Sequence, residues 1–587
     1  MRILILTYSF CLMLAHTSQS YAGTTILTVG TDQNCDFNTI QSAINFVPDD
    51  DPQSFAIHIT NQQVWQENLS IGNKLNLGFK GQFVNCQTAA SNTHAGSLTT
   101  LDGSGLLTTT IFVNASQGIH FTRFIITGST FGGMTIGTES SVSLIQSSVI
   151  NNSNNSGGGI KISNDSFIFI YLSEISNNVA SHGGGLHCDD SEVIVNRSQI
   201  MHNQANETGG GIYATNHCEL SLNGASSINN TTTELMANTA GRFGGGLYAE
   251  LGSNVVINDP NTINTSYKNP VFIAQNKISN TITNQNGAGA GVYLNGSGTQ
   301  MTAYKIVFDR NSIDDNLMFV GGAAMAIDNQ AILQIKHTPG DDNHCGVSFS
   351  SNHTCNQIKH NITKSGDAAV IKITGGAQAD IRNISIFGNE TSTNTNQLAS
   401  VLNGDLIMQG ALIYDNGTTP NPPQVQVPTR LFRVSPAGTF HGDFLTIADN
   451  RLWGGWVIES IGSPQLNLTR SIIAEDPIES VLNDSINNPS AKLFKCLLTH
   501  ENNSFTGTGI TVGSPTFQPT LPYHLGSGSL GVNLCTHGFG DLFPEDDIDG
   551  EERGPCPNLC APQRFDAGAD EFHFSDLIFK NGFAPLL

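Results

Sequence analysis

One position in this sequence repeats with residue types that could bind a ligand: the second residue after each run of glycines. Runs of three glycines followed by Ile or Leu begin at Gly157, Gly183, Gly209 and Gly244, and a looser run begins at Gly289. If the first apolar residue after a run points into a core, the next residue points outward, because side chains alternate along a strand. These outward residues are Lys161, His187, Tyr213, Tyr248 and Tyr293. Because aromatic faces stack on the apolar faces of sugar rings, we predict that these five residues form an exposed ligand-binding row.

Polar residues accompany this row two positions further along each strand. They are Ser163, Asp189, Thr215, Glu250 and Asn295. Carboxylates and amides beside an aromatic surface can form hydrogen bonds with the hydroxyl groups of a sugar, so these residues support the binding interpretation. The alternative is plain stacking of strand-forming side chains between neighbouring coils, which needs no ligand.

An acidic run at residues 545–552 is the second candidate site. Its Asp547-Ile548-Asp549-Gly550 opening is similar to the start of a calcium loop, but the rest of an EF-hand pattern is absent. We therefore interpret the segment as an ion-pair clasp, in which Arg553 pairs with Asp566 or Glu571 and closes the last coil. We expect no cofactor or metal ion, with calcium at this run as the alternative.

Three pairs of adjacent aspartates raise the question of catalysis. They are Asp189-Asp190, Asp314-Asp315 and Asp341-Asp342. Glycoside hydrolysis needs two carboxylates on either side of one bond, whereas adjacent residues of a strand face opposite ways. We predict no catalytic residue, and a polysaccharide lyase or glycoside hydrolase is the alternative function.

The elements that position these residues are short strands in a repeating unit. The first four glycine runs begin 26, 26 and 35 residues apart, which is typical of solenoids and arrays. Each run precedes an alternating strand such as 160–162, a polar turn and a second strand such as 167–170. These repeating units show no helical period, and 26 residues are too few for a propeller blade of about 40. The pattern predicts an all-β chain folded as a right-handed parallel β-helix, with coils stacked about 4.8 Å apart.

Asparagine recurs at one turn of this unit. Asn152, Asn178, Asn203 and Asn238 occupy matching positions. Asparagine tolerates left-handed backbone and can stack its amide on the next asparagine, so we predict an internal asparagine ladder. The alternative is a set of exposed turn residues.

Composition excludes some classes of function. The net charge of −23 argues against nucleic-acid binding, which needs a basic surface. Only 12% of the residues are charged and 38% are hydrophobic, so the chain is not a disordered polyampholyte.

The first 22 residues and the cysteines indicate export. A charge at Arg2, an apolar run at 3–14 and small residues at Ser20 and Ala22 have the layout of a secretory signal peptide. Cleavage removes Cys11 and leaves ten cysteines, an even number that fits disulfides in an oxidising compartment. Zinc is the alternative, but no cysteine–histidine cluster recurs at ligand spacing. The candidate disulfide pairs are Cys35/Cys86, Cys345/Cys355 and Cys556/Cys560.

Parts of the chain resemble known families. The glycine runs that follow an asparagine turn resemble the passenger repeats of polymorphic outer membrane proteins, and more broadly the pectin-lyase-like β-helices. The end of the chain is similar to the closing signature of choice-of-anchor Q domain proteins. Its matching residues are Asp547, Asp549, Gly550 and Arg553, then Asp566, Gly568 and Glu571. The chain departs from that family at Leu530 and Asn533, where a proline and an aspartate are usual. The resemblance implies a fold and a surface location, but no reaction.

These observations predict four segments: a signal peptide at 1–22, the β-helix with an N-terminal cap at 23–535, the closing motif at 536–572 and a short tail at 573–587. The cap includes a short amphipathic helix within 37–44, because Ile40, Ala43 and Ile44 share one helical face. We expect a secreted or bacterial cell-surface protein with no transmembrane segment in the mature chain. Its expected function is adhesion or carbohydrate binding without catalysis, with extracellular glycans or cell-surface components as partners.

Overall fold

The chain folds as a right-handed parallel β-helix, as the repeats predict. This computed structural model describes residues 24–224, 232–260, 269–279, 286–313, 318–336, 356–364, 369–391, 397–418, 429–476, 480–484, 492–500, 507–518, 521–536 and 564–569. Parallel pairing between successive coils runs from Thr25–Val29 to Gly507–Val512.

One coil illustrates the unit. Ile160–Ser163 is its first strand, and a turn leads to Phe167–Tyr171 and Glu174–Ser176. After an asparagine turn, Val179–His182 approaches the glycine run, and the next coil starts with Leu186–Asp189. Strands in the same position of successive coils build three long sheets, which we call the face sheet, the wide sheet and the arm sheet.

The described strands of each sheet are as follows. The face sheet contains Leu69–Gly72, Ile111–Asn114, Met134–Gly137, Ile160–Ser163, Leu186–Asp189, Ile212–Thr215, Leu247–Glu250, Val292–Asn295, Met325–Asp328, Ala369–Thr374, Gln397–Leu402, Arg430–Val434, Trp456–Ser460 and Ser480–Asp484. The arm sheet contains Val179–His182, Gln204–Thr208, Thr239–Ala240, Lys277–Ile278, Ser312–Ile313, Ile362–Thr363 and Glu390–Thr391. The wide sheet contains Thr25–Val29, Phe55–Thr60, Leu77–Phe83, Thr99–Asp102, Ile119–Thr122, Phe124–Thr127, Ser141–Ile145, Ser148–Ile150, Phe167–Tyr171, Glu174–Ser176, Glu192–Asn196, Gln199–Met201, Glu219–Asn223, Glu234–Met236, Asn254–Ile257, Val271–Ala274, Gln300–Tyr304, Ile306–Asp309, Ile332–Lys336, Asn356–Lys359, Gln378–Phe387, Asp405–Tyr414, Thr439–Asp443, Thr446–Ala448, Gln465–Ala474, Lys492–Thr499 and Gly507–Val512. Three short pairs complete the strands: Asn286–Ala288 with Met318–Gly321, Phe517–Gln518 with Leu521–Leu525, and Cys535–Thr536 with Arg564–Phe565.

The core lies inside the coils and consists of apolar columns. Ile160, Leu186, Ile212 and Leu247 are partners in register, and each is fully buried. Burying such a side chain stabilises the fold by roughly 1.5–3 kcal/mol. The alternation that buries these residues turns the next residue of each strand toward the outside of the coil.

The predicted asparagine ladder is confirmed, and it is longer than the sequence analysis expected. At each step the backbone N–H and the side-chain amide of one asparagine both donate to the side-chain oxygen of the asparagine one coil later. The buried ladder comprises Asn152, Asn178, Asn203, Asn238, Asn276, Asn311, Asn361, Asn389, Asn416 and Asn450. It ends at Glu475, whose carboxylate accepts from Asn450. The ladder satisfies the polar groups of the turn, which would otherwise be buried without partners.

The N-terminal end is capped as predicted. The helix Ile40–Phe46 buries Ile40, Ala43 and Ile44. The Glu67 carboxylate accepts hydrogen bonds from two backbone N–H groups of the first helical turn, which stabilises that helix end. A second short helix, Cys86–Ala90, follows. In the described part of the chain, no helix is long and apolar enough to cross a membrane.

Three disulfides are formed among the described residues. Cys35–Cys86 is the predicted bond at the N-terminal cap. Two further bonds, Cys188–Cys218 and Cys496–Cys535, were not predicted from the sequence. The candidate pairs Cys345/Cys355 and Cys556/Cys560 lie outside the described residues.

Only part of the predicted closing motif is described. The buried Asp566 carboxylate accepts a hydrogen bond from the backbone N–H of Asn533, and Gly568 N–H donates to the Arg470 carbonyl at 2.8 Å. Residues 564–569 therefore pack against the end of the solenoid. The remaining motif residues, Asp547, Asp549, Gly550, Arg553 and Glu571, lie outside the described residues, so the ion-pair clasp stays a prediction.

Candidate functional site

The residues predicted to form one outward row do so. Lys161, His187, Tyr213, Tyr248 and Tyr293 are consecutive partners in the face sheet. The register holds although 35 residues separate Tyr213 from Tyr248 and 45 separate Tyr248 from Tyr293. We call these five residues the tyrosine row.

The rings of the row stack on each other. The ring centroids of Tyr213 and Tyr248 are 5.4 Å apart with 6° between the planes, and those of Tyr248 and Tyr293 are 5.2 Å apart at 12°. The ring of His187 lies 4.8 Å from that of Tyr213. Aromatic pairs at such distances contribute about 0.5–1.5 kcal/mol beyond their buried area. The faces of these rings therefore pack against each other between coils, as the alternative of plain stacking predicts.

The expectation that the row is exposed is wrong. Tyr248 is only 6% exposed, and Tyr293 and His187 are each 8% exposed. Residues that stand before the glycine bends lie over the row, and Ser156, His182 and Phe243 each contact the ring that is one coil further on. The ring of Phe243 packs on Tyr293 at 4.9 Å, and that of His182 lies 5.6 Å from Tyr213. The residues before the bends are partners in register, and we call them the covering column: Ser156, His182, Thr208, Phe243, Ala288 and Gly321.

Glycine at the bend allows the covering residues to approach the rings closely. Gly244 has a φ of +63°, a left-handed conformation in which most other residues are strained. A Cβ atom at Gly244 would lie 2.6 Å from Tyr248 Cβ, and one at Gly245 would lie 2.5 Å from the Ala290 carbonyl oxygen. The chain thus reverses directly against the tyrosine row, with no room for a side chain at the bend.

The polar residues beside the row form a continuous band. Register links Ser163, Asp189 and Thr215, then Glu250, Asn295 and Asp328. We call these six residues the polar band. Asp189, Glu250, Asn295 and Asp328 are half-buried, so part of each side chain reaches the surface.

Tyrosine hydroxyls hold the band in place. Tyr213 donates to Glu250 Oε1 at 2.5 Å, and Tyr248 donates to Glu250 Oε2 at 2.6 Å. Asn295 Nδ2 donates to the Tyr248 hydroxyl at 3.1 Å. Tyr293 donates to Asp328 Oδ2 at 3.1 Å. Since three of these bonds run from a ring of the row to a half-buried carboxylate, the row fixes the positions of acceptors that face solvent.

Burial sets the protonation of the row. It is the main cause that raises the pKa of Tyr213, Tyr248 and Tyr293, and the carboxylates of the band raise it further, so the hydroxyls stay protonated donors. Burial, with a smaller effect from Lys161, lowers the pKa of His187 to about 4. His187 is therefore neutral at physiological pH, and its Nδ1 contacts the hydroxyl of Ser156.

The carboxylates of the band are separated by whole coils. Asp189 and Glu250 are separated by the coil of Thr215, and Glu250 and Asp328 by the coil of Asn295, which places their Cα atoms roughly 9.6 Å apart. A retaining glycosidase holds its two carboxyl groups about 5–5.5 Å apart and an inverting one about 6.5–9.5 Å apart, so the spacing argues against a retaining pair only. Among the described residues, no group of three His, Cys, Asp or Glu side chains is placed to hold a metal ion. Asp314-Asp315 and Asp341-Asp342 lie outside the described residues.

A second cluster on the same sheet was not predicted from the sequence. Arg433 and Glu459 continue the outward column of the tyrosine row toward the C-terminus, and Arg430 and Trp456 lie beside them. A signal was present, because Arg430 and Trp456, like Arg433 and Glu459, are one coil of 26 residues apart in the sequence.

No protein-family model matches the sequence, and no curated protein matches it either.

Proposed function

We propose that this chain is an exported, extracellular β-helix protein that binds glycan chains along the polar band without cleaving them. Three disulfides among the described residues favour an oxidising compartment, in agreement with the signal peptide expected at 1–22. We also propose that it is a choice-of-anchor Q domain protein, on the closing residues around Asp566 and Gly568.

One observation carries the binding proposal: the Glu250 carboxylate, which two tyrosine hydroxyls hold by its two oxygens. An acceptor fixed in advance loses little conformational entropy when a ligand hydroxyl binds it. Asp189, Asn295 and Asp328 supply further acceptors and donors along the same line, at intervals set by the coil spacing. A line of polar groups spaced by one or two coils suits an extended polymer whose hydroxyls repeat.

The polar band, and not the ring faces, is the surface that we propose for recognition. The covering column occupies the side of the rings that a sugar would need, whereas the half-buried carboxylates and amides reach solvent. The separation of the carboxylates by whole coils disfavours a retaining hydrolase, and an assay for new reducing ends tests for an inverting one.

A glycan array tests this proposal. The secreted protein, without its first 22 residues, is applied to extracellular polysaccharides and their oligomers, and each hit is then incubated and assayed for new reducing ends. Saturable binding with no new reducing ends supports the proposal. Binding with steady release of reducing ends identifies an enzyme instead, and the absence of any saturable binding rejects glycan recognition.

A further inference from the structure

The face sheet carries a second cluster of polar and aromatic side chains about three coils beyond Asp328. It consists of Gln397, Arg430, Arg433, Trp456 and Glu459, which we call the arginine cluster. Gln397, Arg430 and Trp456 are partners in register, and so are Arg433 and Glu459. Phe432 and Ile458 of the same strands are fully buried in the core.

The cluster places two guanidinium groups beside one carboxylate. Glu459 Oε2 accepts from Arg430 Nη1 and lies 3.4 Å from Arg433 Nε. The side chains of Arg430, Arg433 and Glu459 are 11%, 23% and 15% exposed. Two guanidinium groups thus lie side by side against one carboxylate.

Polar atoms of the cluster are buried without partners. Gln397 is fully buried, and within the described residues neither its amide nitrogen nor its amide oxygen has a hydrogen-bond partner. Arg430 Nε is also buried and unpaired. Because burying unpaired polar groups costs free energy, such atoms indicate a site that a further group completes.

An aromatic ring adjoins these donors. Trp456 is half-buried, and Arg430 Cζ lies 5.8 Å from the centre of its ring. Tryptophan offers an apolar face for stacking together with a polar edge, and an arginine fork fits the planar oxygens of an oxyanion.

We propose that the arginine cluster binds a sugar that carries an oxyanion. Arg430 and Arg433 hold the oxyanion, the amide of Gln397 supplies a further donor, and Trp456 stacks on the sugar ring. A carboxylate and a sulfate ester both present anionic oxygens that guanidinium groups can bind, so the proposed ligand class includes sugars with either group. This site shares no residue with the polar band, and the proposal does not rest on the function proposed for that band.

Calorimetric titration of the mature protein tests the proposal with three tetrasaccharides. One carries uronic-acid carboxylates, one carries sulfate esters on neutral sugars, and one is uncharged. We expect saturable binding of one or both anionic tetrasaccharides, and their comparison identifies the oxyanion. Arg433→Gln should weaken this binding roughly tenfold or more, since a hydrogen bond to a charged group is lost. Arg433→Lys keeps the charge but not the fork and should also bind more weakly than wild type.

Matched variants separate this site from other effects. Arg382→Gln removes an arginine that pairs with Asp380 on the wide sheet and should bind like wild type. The variant Asp189→Ala/Asn295→Ala, in the polar band, should also keep its affinity for the anionic tetrasaccharide. Circular dichroism confirms folding, and Arg433→Lys serves as the test if Arg433→Gln is unfolded. Failure of both anionic tetrasaccharides to bind, equal binding of the uncharged one, or wild-type affinity in a folded Arg433 variant would overturn the proposal.

Discussion

The ring of Phe243 lies 4.9 Å from the ring of Tyr293, with 19° between their planes. Phe243 stands directly before the bend at Gly244, and Tyr293 belongs to the coil after the one that this bend starts. The contact therefore joins two coils from outside the core. It converts a surface row of rings into a second packed layer, whose outer edge is the polar band.

Replacement of Tyr248 tests this packed layer. Tyr248→Ala removes a stacked ring that is 6% exposed, and we expect a loss of about 3–5 kcal/mol in the free energy of unfolding. Tyr248→Phe keeps the ring and loses the hydroxyl's bonds with Glu250 and Asn295, so about 1.5–3 kcal/mol is expected. Denaturant titration measures both. Tyr304→Ala, at a half-buried ring on the wide sheet, is the control and should cost less; equal costs for Tyr248→Ala and Tyr304→Ala would contradict the packed layer.

The glycine bend should not accept a side chain. A Cβ atom at Gly184 would lie 2.5 Å from the Gly210 carbonyl oxygen and 2.6 Å from that of Gln204, so we expect Gly184→Val to unfold or aggregate. Gly528→Val is the matched control, because no heavy atom lies within 4 Å of the corresponding Cβ position. Thermal melting compares the two variants. A wild-type melting temperature for Gly184→Val would show that the bend is an ordinary loop.

The asparagine ladder should contribute strongly to stability. Asn276 accepts from the backbone and side chain of Asn238 and donates to Asn311 and to the Leu235 carbonyl, all in the buried interior. Asn276→Ala leaves several of these groups unpaired, at about 1–3 kcal/mol for each. Asn206→Ala, at an exposed arm-sheet position, should change stability by less than about 0.5 kcal/mol. Similar denaturant midpoints for the two variants would mean that the ladder is not stabilising.

His187 should make the fold sensitive to mild acid. Burial lowers its pKa to about 4 from an ordinary value of 6.5, so below pH 6.5 the unfolded chain binds a proton that the folded chain does not bind. The free energy of unfolding is therefore unaffected by the titration of His187 above pH 6.5, and it falls as the pH drops from 6.5 toward 4. Between pH 7.5 and pH 5 this loss is about 2 kcal/mol.

His187→Tyr, which repeats the residue of the next coils, removes this titration. Urea unfolding of wild type and variant at both pH values gives the difference directly. We expect the variant to gain about 2 kcal/mol relative to wild type on going from pH 7.5 to pH 5. A constant difference in stability between the two proteins would show that His187 does not titrate in this way.

The sequence predicted the parts of this molecule that repeat with the coil. The register of His187 and Tyr213, the buried asparagines and the alternation of core residues all follow from a fixed period and from strand geometry. Phe243 could not be predicted in the same way, because its role depends on how far the chain folds back at Gly244. Cys188 and Cys218 were missed for a related reason: they meet across a turn between consecutive coils, at a separation that matches no repeat interval.

The most direct test of the account is the affinity of the polar band for a glycan found on the array. Isothermal titration calorimetry compares wild type with Asp189→Ala/Asn295→Ala, which removes two half-buried side chains of the band. The control is Gln199→Ala/Glu234→Ala, which likewise removes an amide and a carboxylate, on the wide sheet. We predict that the band variant binds roughly tenfold more weakly or worse, while the control binds like wild type. Wild-type affinity in the folded band variant, or equal weakening in both variants, would contradict the claim that the polar band binds the glycan.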